Sequence, residues 1–196
     1  MMKMSLATRK IRRRLRRFAR NRKGMAAVEF AAILPAMLSI YVGGAELGDG
    51  FTIQFKAALV ARTVTDLASQ YVSINNSSMS TILNASSQVI APYPATNMTM
   101  TLSEITTDAN GHATVTWSDS LHGTARTVGS SVTLPNNLQT ANITILLGEV
   151  SYPYTPPVGY VFTGTININE SQYFYPRLST TIAGSIPDLA VLNSPI

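Results

Sequence analysis

One carboxylate in this chain lies where a carboxylate is costly. Glu29 sits just inside an apolar run, in the string Arg22-Lys23-Gly24-Met25-Ala26-Ala27-Val28-Glu29-Phe30. An ionised carboxylate in hydrocarbon costs on the order of a few kcal/mol even on lenient insertion scales, so such a residue calls for a partner. A cut between Gly24 and Met25 would create one. Met25 would then carry a free α-ammonium, and Glu29, four residues on, lies one helical turn away on the same face. The new cation could pair with Glu29 of its own chain or of an adjacent subunit, and either pairing offsets part of the desolvation cost. Before the cut, Arg22 and Lys23 are the nearby charges. The plainer alternative is that Glu29 snorkels into the headgroup layer.

The rest of the chemical inventory is thin. His112 and His122 are the only histidines, both in polar, loop-like surroundings, and cysteine is absent. Two histidines without a third ligand make a poor metal site, so no metal is expected. Asp119, Ser120 and His122 have the side chains of a hydrolytic triad, but near-contiguous residues do not supply its geometry. Gly159 and Gly164 lack the context of a phosphate-binding loop. The expectation is a non-enzyme with no cofactor and no small-molecule substrate.

The elements that position Glu29 follow from charge segregation. Of the 15 Lys and Arg residues, 11 lie in residues 1–23, where no Asp or Glu occurs. Gly24 to Ile196 holds four cations against all ten anions, so the high pI of 9.7 belongs to the leader. A basic arm could neutralise nucleic-acid phosphates. It could also be an amphipathic presequence or the cytoplasmic flank of a spanning helix. The residues that follow decide. Phe30 to Ala45 carries no charge, and with Met25 to Val28 the apolar window approaches 20 residues, roughly 30 Å as a helix and one hydrocarbon core. The next charges are Glu46 and Asp49. Cations before and anions after place the N-terminus in the cytoplasm and the bulk outside. Membrane lipid is the expected partner, and nucleic acid is not.

A basic leader ending in Gly24, a short uncharged quartet, Glu at the fifth position after the Gly and an aromatic at the sixth resembles a type IV prepilin processing site. The longer string GMAAVEFAAILPAMLSIYVGGAELGDG is similar to the TadE-like minor pseudopilins of tight-adherence (Flp) pilus systems. There an AVEFA-type segment runs into an apolar helix with a Leu-Pro, here Leu34-Pro35, and ends in Glu-Leu-Gly, here Glu46-Leu47-Gly48. Val150, Tyr152, Tyr154 and Pro156 look like a Val-x-Tyr-x-Tyr-x-Pro segment late in those proteins. The resemblance implies cleavage between Gly24 and Met25 by a prepilin peptidase, and a part for Glu29 in subunit assembly. It also implies other pilins or pseudopilins of the pilus machinery as partners. It covers residues 22–50 well and the middle of the chain not at all.

Beyond Ala45 the helical pattern continues. Leu47, Phe51, Phe55, Leu59, Val64, Leu67 and Tyr71 fall mostly three or four residues apart, predicting an amphipathic helix to about Val72 with this stripe as its packed face. Pro35 is expected to kink or locally unwind the helix, and Gly43-Gly44, Gly48 and Gly50 to weaken it again. Asn75 to Ser78 offers caps for a second helix near 78–91, closed by Pro92 and Pro94. After Pro94 the period becomes two. Strands are expected at 98–102, 113–117, 131–134, 143–152, 160–168 and 172–175, with a hairpin turn at Asp108 to Gly111. Tyr152, Tyr154, Tyr160, Phe162, Tyr173, Phe174 and Tyr175 read as strand packing, or as a contact surface for a neighbouring subunit.

The expected fold is α+β: a long N-terminal helix, transmembrane then amphipathic, packed on a small antiparallel β-rich head. The parts are a basic leader (1–24), a spanning helix (25–46), an amphipathic helical region (47–94) and a periplasmic head (95–196). The expected function is that of a minor pseudopilin in pilus assembly and surface adhesion. The alternative is an uncleaved single-pass anchor whose head binds an envelope or secretion partner. A third reading is a soluble adhesin released by a signal-peptide cut after Ala45.

Overall fold

The computed structural model describes residues 24–159 and 163–185. The chain divides into two compact units, residues 1–45 and 46–196. The leader before Gly24, and Tyr160 and Phe162 of the aromatic group, lie outside the described residues.

Helix α1 runs from Met25 to Ser69, and the structure assigns it as helix without interruption. Local unwinding at Pro35 therefore does not occur. The ring still removes the N–H that the carbonyl four residues back would accept. Ser39 donates its hydroxyl to the Pro35 carbonyl at 2.8 Å. In the first unit the large apolar side chains of this helix, among them Val28, Phe30, Ile33, Met37, Leu38 and Ile40, are exposed. The helix is long and apolar enough to cross a membrane.

The second unit joins the rest of α1 to a sheet. β1 (Ser73–Asn75) leads into α2 (Asn76–Ser87), where Asn75 is the N-cap and accepts the Ser78 N–H at 2.9 Å. The helix therefore begins two residues before the sequence expectation, because Asn75 rather than the serines takes the cap. Met79, Ile82, Leu83 and Ser86 form its buried side. A 3-10 turn, Gln88–Ile90, completes the segment.

The strands that follow are β2 (Thr99–Thr107), β3 (Ala113–Leu121), β4 (Ser131–Val132), β5 (Thr144–Tyr154) and β6 (Ile166–Phe174). They form one antiparallel sheet in the order β4-β3-β2-β5-β6. The β2–β3 hairpin closes on Asp108, whose carboxylate accepts the N–H groups of Asn110 and His112, both at 2.8 Å. Gly111 supplies the positive φ that this turn requires.

The expected strands 98–102 and 113–117 extend to Thr107 and Leu121, 131–134 shortens to Ser131–Val132, and two further expectations change. Residues 166–174 are a single strand, not two pieces, since Asn169, Glu170 and Ser171 keep the ladder with β5. Pro153 lies inside β5 rather than ending it. β2 pairs only as far as Ser151, so a residue without an N–H costs no ladder bond on that side. A parallel pair was not anticipated: β7 (Ala183–Ser185) runs along β1.

The inner face of the sheet holds Met100, Leu102, Trp117, Leu146, Val150, Tyr152 and Tyr154. Against it α1 packs Ile53, Ala57, Val60, Ala61, Val64 and Ala68. This corrects the predicted stripe. Val64 is buried and Leu67 and Tyr71 are half-buried, but Leu47, Phe51, Phe55 and Leu59 are 51–77% exposed. The reason is proximity. At Gly148 a Cβ would come within 2.9 Å of the Ala61 carbonyl, so the helix lies almost on the strand and only small side chains fit between them. On the outer face a smaller apolar cluster, Ile105, Ala113, Leu134, Ile145 and Leu147, is covered by residues of the 132–143 segment.

Candidate functional site

The residues expected to carry processing and assembly lie together at the start of α1. Gly24 immediately precedes the helix and Met25 is its first residue. Among the described residues, a Cβ on Gly24 would meet nothing within 4 Å. The fold does not demand glycine there, so any demand comes from whatever reads the segment. Glu29 is exposed on the helix, four residues after Met25. Chain geometry thus permits the pairing of a Met25 ammonium with the Glu29 carboxylate.

In the second unit the outer side of α1 presents Leu47, Phe51, Phe55 and Leu59 at steps of four residues, a single ridge roughly 18 Å long. Ridges of this spacing are the ones that seat in the grooves of another helix. Exposed apolar side chains of this size in a continuous row are unusual on a surface that stays in water.

Three of the four cations beyond the leader have partners that the sequence did not signal. Arg126 makes a two-pronged pair with Glu149, at 2.7 and 2.6 Å, and the carboxylate pushes the guanidinium's pKa up. Arg177 pairs with Asp66 and sits 5.9 Å from the centre of the Phe174 ring. Lys56 reaches the Val89 carbonyl. The Arg126–Glu149 pair borders a polar groove of about 440 Å³ on the outer sheet face, with Thr99, Thr101, Ser151, Asn169 and Ser171.

Two acids are buried within the head. Glu104 accepts the Ile182 N–H at 2.7 Å, while Trp117 donates its indole N–H to the Ile182 carbonyl at 3.0 Å. Both polar groups of one peptide residue are thereby held, and this fastens the chain just before β7. The second oxygen of Glu104 has no partner among the described residues, nor has the second oxygen of Asp119. Burial pushes both carboxyls above their ordinary range. The composition offered no hint of this, because the alternation that buries Glu104 looks the same as one that exposes it.

The triad letters do not assemble. Asp119 is buried, whereas the Ser120 hydroxyl bonds to Thr101 and to the Met100 carbonyl, on the other face. The His122 ring meets the Met98 carbonyl at 3.2 Å. His112 is exposed beside Asp108, whose carboxyl is held below its ordinary range chiefly by the His112 backbone N–H. No cluster of three metal-ligating side chains occurs among the described residues. Of the aromatic group, Tyr152 and Tyr154 are buried and Tyr175 is exposed. Tyr152 packs edge-on against Tyr93 at 6.3 Å.

No protein-family model matches this chain, and neither does any curated protein or solved structure.

Proposed function

We propose that this chain is a minor pseudopilin of the TadE-like type, cut between Gly24 and Met25 by a prepilin peptidase and acting in the assembly of a tight-adherence pilus. In this reading the leader is cytoplasmic, α1 spans the inner membrane once, and the head is periplasmic. Its role is structural: helices associate laterally, Glu29 meets an N-terminal ammonium, and surface adhesion follows from the pilus.

The observation that carries the reading is the row Leu47, Phe51, Phe55 and Leu59. The apolar window before it already has the length of a hydrocarbon core, so lipid does not account for a further ridge of apolar side chains. A neighbouring helix does. The processing-site residues and the charge asymmetry around the span point the same way.

The mass of the protein extracted from its native membrane tests the first step. A mature chain beginning at Met25 is expected, and a chain that keeps its leader overturns it. Co-sedimentation of the processed form with purified pili tests the second.

One feature favours the alternative, an uncleaved anchor with a binding head: the polar groove beside Arg126 and Glu149, which helix assembly does not use. That form would retain all 24 leader residues.

A further inference from the structure

Glu46 is the first residue after the apolar window, and its carboxylate is fully engaged. It accepts the backbone N–H groups of Val158 and Gly159, the latter with both oxygens at 3.0 Å. The Tyr154 hydroxyl donates to the Glu46 carbonyl, also at 3.0 Å. A Cβ on Gly159 would lie 2.6 Å from the carboxylate, so a side chain there would displace the Glu46 oxygen. Charge-assisted bonds of this kind are shorter and stronger than neutral ones, and three of them pin one turn to one helical residue.

The pin ties the turn to residue 46. Wherever Ala45 leaves the apolar layer, Glu46 is the next residue, and the 157–159 turn is held within a side chain's length of it. The turn is suited to that level. Pro157 is exposed and Val158 is 62% exposed. From Val150 to Asn169 the sequence contains no charged residue. The carboxylate that would be costly near lipid is met by N–H donors.

We propose that the Pro157–Val158 turn rests in the lipid headgroup layer, a second membrane contact that Glu46 holds at a defined height. The contact depends on the reading that α1 spans the membrane. Its chemistry is apolar side chains at the headgroup boundary, roughly 5–10 Å deep as for interfacial segments.

The test uses the full chain in phosphatidylcholine vesicles. Because the chain has no cysteine, Val158→Cys and, separately, Met37→Cys each take an environment-sensitive fluorophore at a single site. Lipids carrying a nitroxide near the headgroup are expected to quench the label at 158. Lipids carrying it deep in the acyl chain should quench the label at 37. Adding Glu46→Ala to Val158→Cys should abolish the quenching at 158, with the emission of the single, buried Trp117 showing that the head remains folded. Lipid quenching at 37 without quenching at 158 overturns the turn contact and leaves the spanning helix standing. A label at 158 shielded from both lipid nitroxide and aqueous iodide means that protein covers the turn, and this also overturns it. Quenching at 158 that survives Glu46→Ala overturns the pin. No lipid quenching at 37 overturns the membrane reading itself.

Discussion

Gly148 lies directly beneath Thr65: a Cβ built on the glycine would fall 2.2 Å from the threonine hydroxyl oxygen. That hydroxyl is itself bonded back to the Ala61 carbonyl at 2.5 Å. The contact shows why the part of α1 that faces Gly148 presents Ala61, Val64 and Thr65. It also makes Gly148→Ala a probe of the helix–sheet interface. Overpacking of a filled core costs about 1–3 kcal/mol. The variant is expected to lower the denaturation midpoint of the head by an amount in that range, and Thr65→Ala should recover only part, because the Ala61 carbonyl still obstructs the new methyl.

Glu104 and Asp119 make stability depend on pH in a definite direction. Both carboxyls are raised by burial. Over the interval between the ordinary and raised values, the unfolded chain has released protons that the folded chain keeps. Stability therefore falls as pH rises through that interval, and is fully present below it. Glu104→Gln keeps an oxygen for the Ile182 N–H and removes the charge, so its stability should fall less steeply with pH. Urea midpoints from about pH 4 to about pH 8 check this. Glu104→Ala leaves the Ile182 N–H buried and unpaired, at a cost of about 1–3 kcal/mol.

Gly24 and Glu29 separate folding from function. No described residue surrounds a Cβ at Gly24, so Gly24→Ala should insert and fold normally yet retain its leader, read as the mass of the intact chain. Normal trimming of that variant would point to a different protease. Glu29→Gln and Glu29→Ala are expected to insert in the membrane and to lose pili by electron microscopy. Full piliation in either would remove Glu29 from assembly.

The exposed ridge predicts the reverse of an ordinary core substitution. Phe51→Ser and Phe55→Ser change side chains that the head does not bury. Their effect on its stability should stay within about 0.5 kcal/mol, as for other surface changes. Co-sedimentation with pili should be lost. A large drop in denaturation midpoint with pili unchanged would show that the ridge packs within the chain.

Much of the local structure was legible from residue order. The apolar window and its flanking charges defined the helix that is long enough to cross a membrane. The change from a period near four to a period of two at Pro94 marked the start of the sheet, and Asp108 to Gly111 marked its first hairpin. The face of α1 that packs was not legible. Leu47, Phe51, Phe55 and Leu59 occupy the exposed side, while the packed side between Ile53 and Ala68 is mostly alanine and valine, and hydrophobicity favours the former. A close-packed strand selects by size, and the strand's own glycine, Gly148, lies far along the chain.

The sequence by itself determined the order of elements, the isolation of Glu29 at the edge of an apolar run, and the α+β class, because each depends on neighbours within a few residues. Only the tertiary structure decided that Glu46 binds Val158 and Gly159, that Glu104 and Trp117 grip Ile182, and that Phe51 and Phe55 face outward. Those pairings join residues far apart along the chain. Their energies depend on distance, burial and the space left by neighbours, which exist only once the sheet and helix have met.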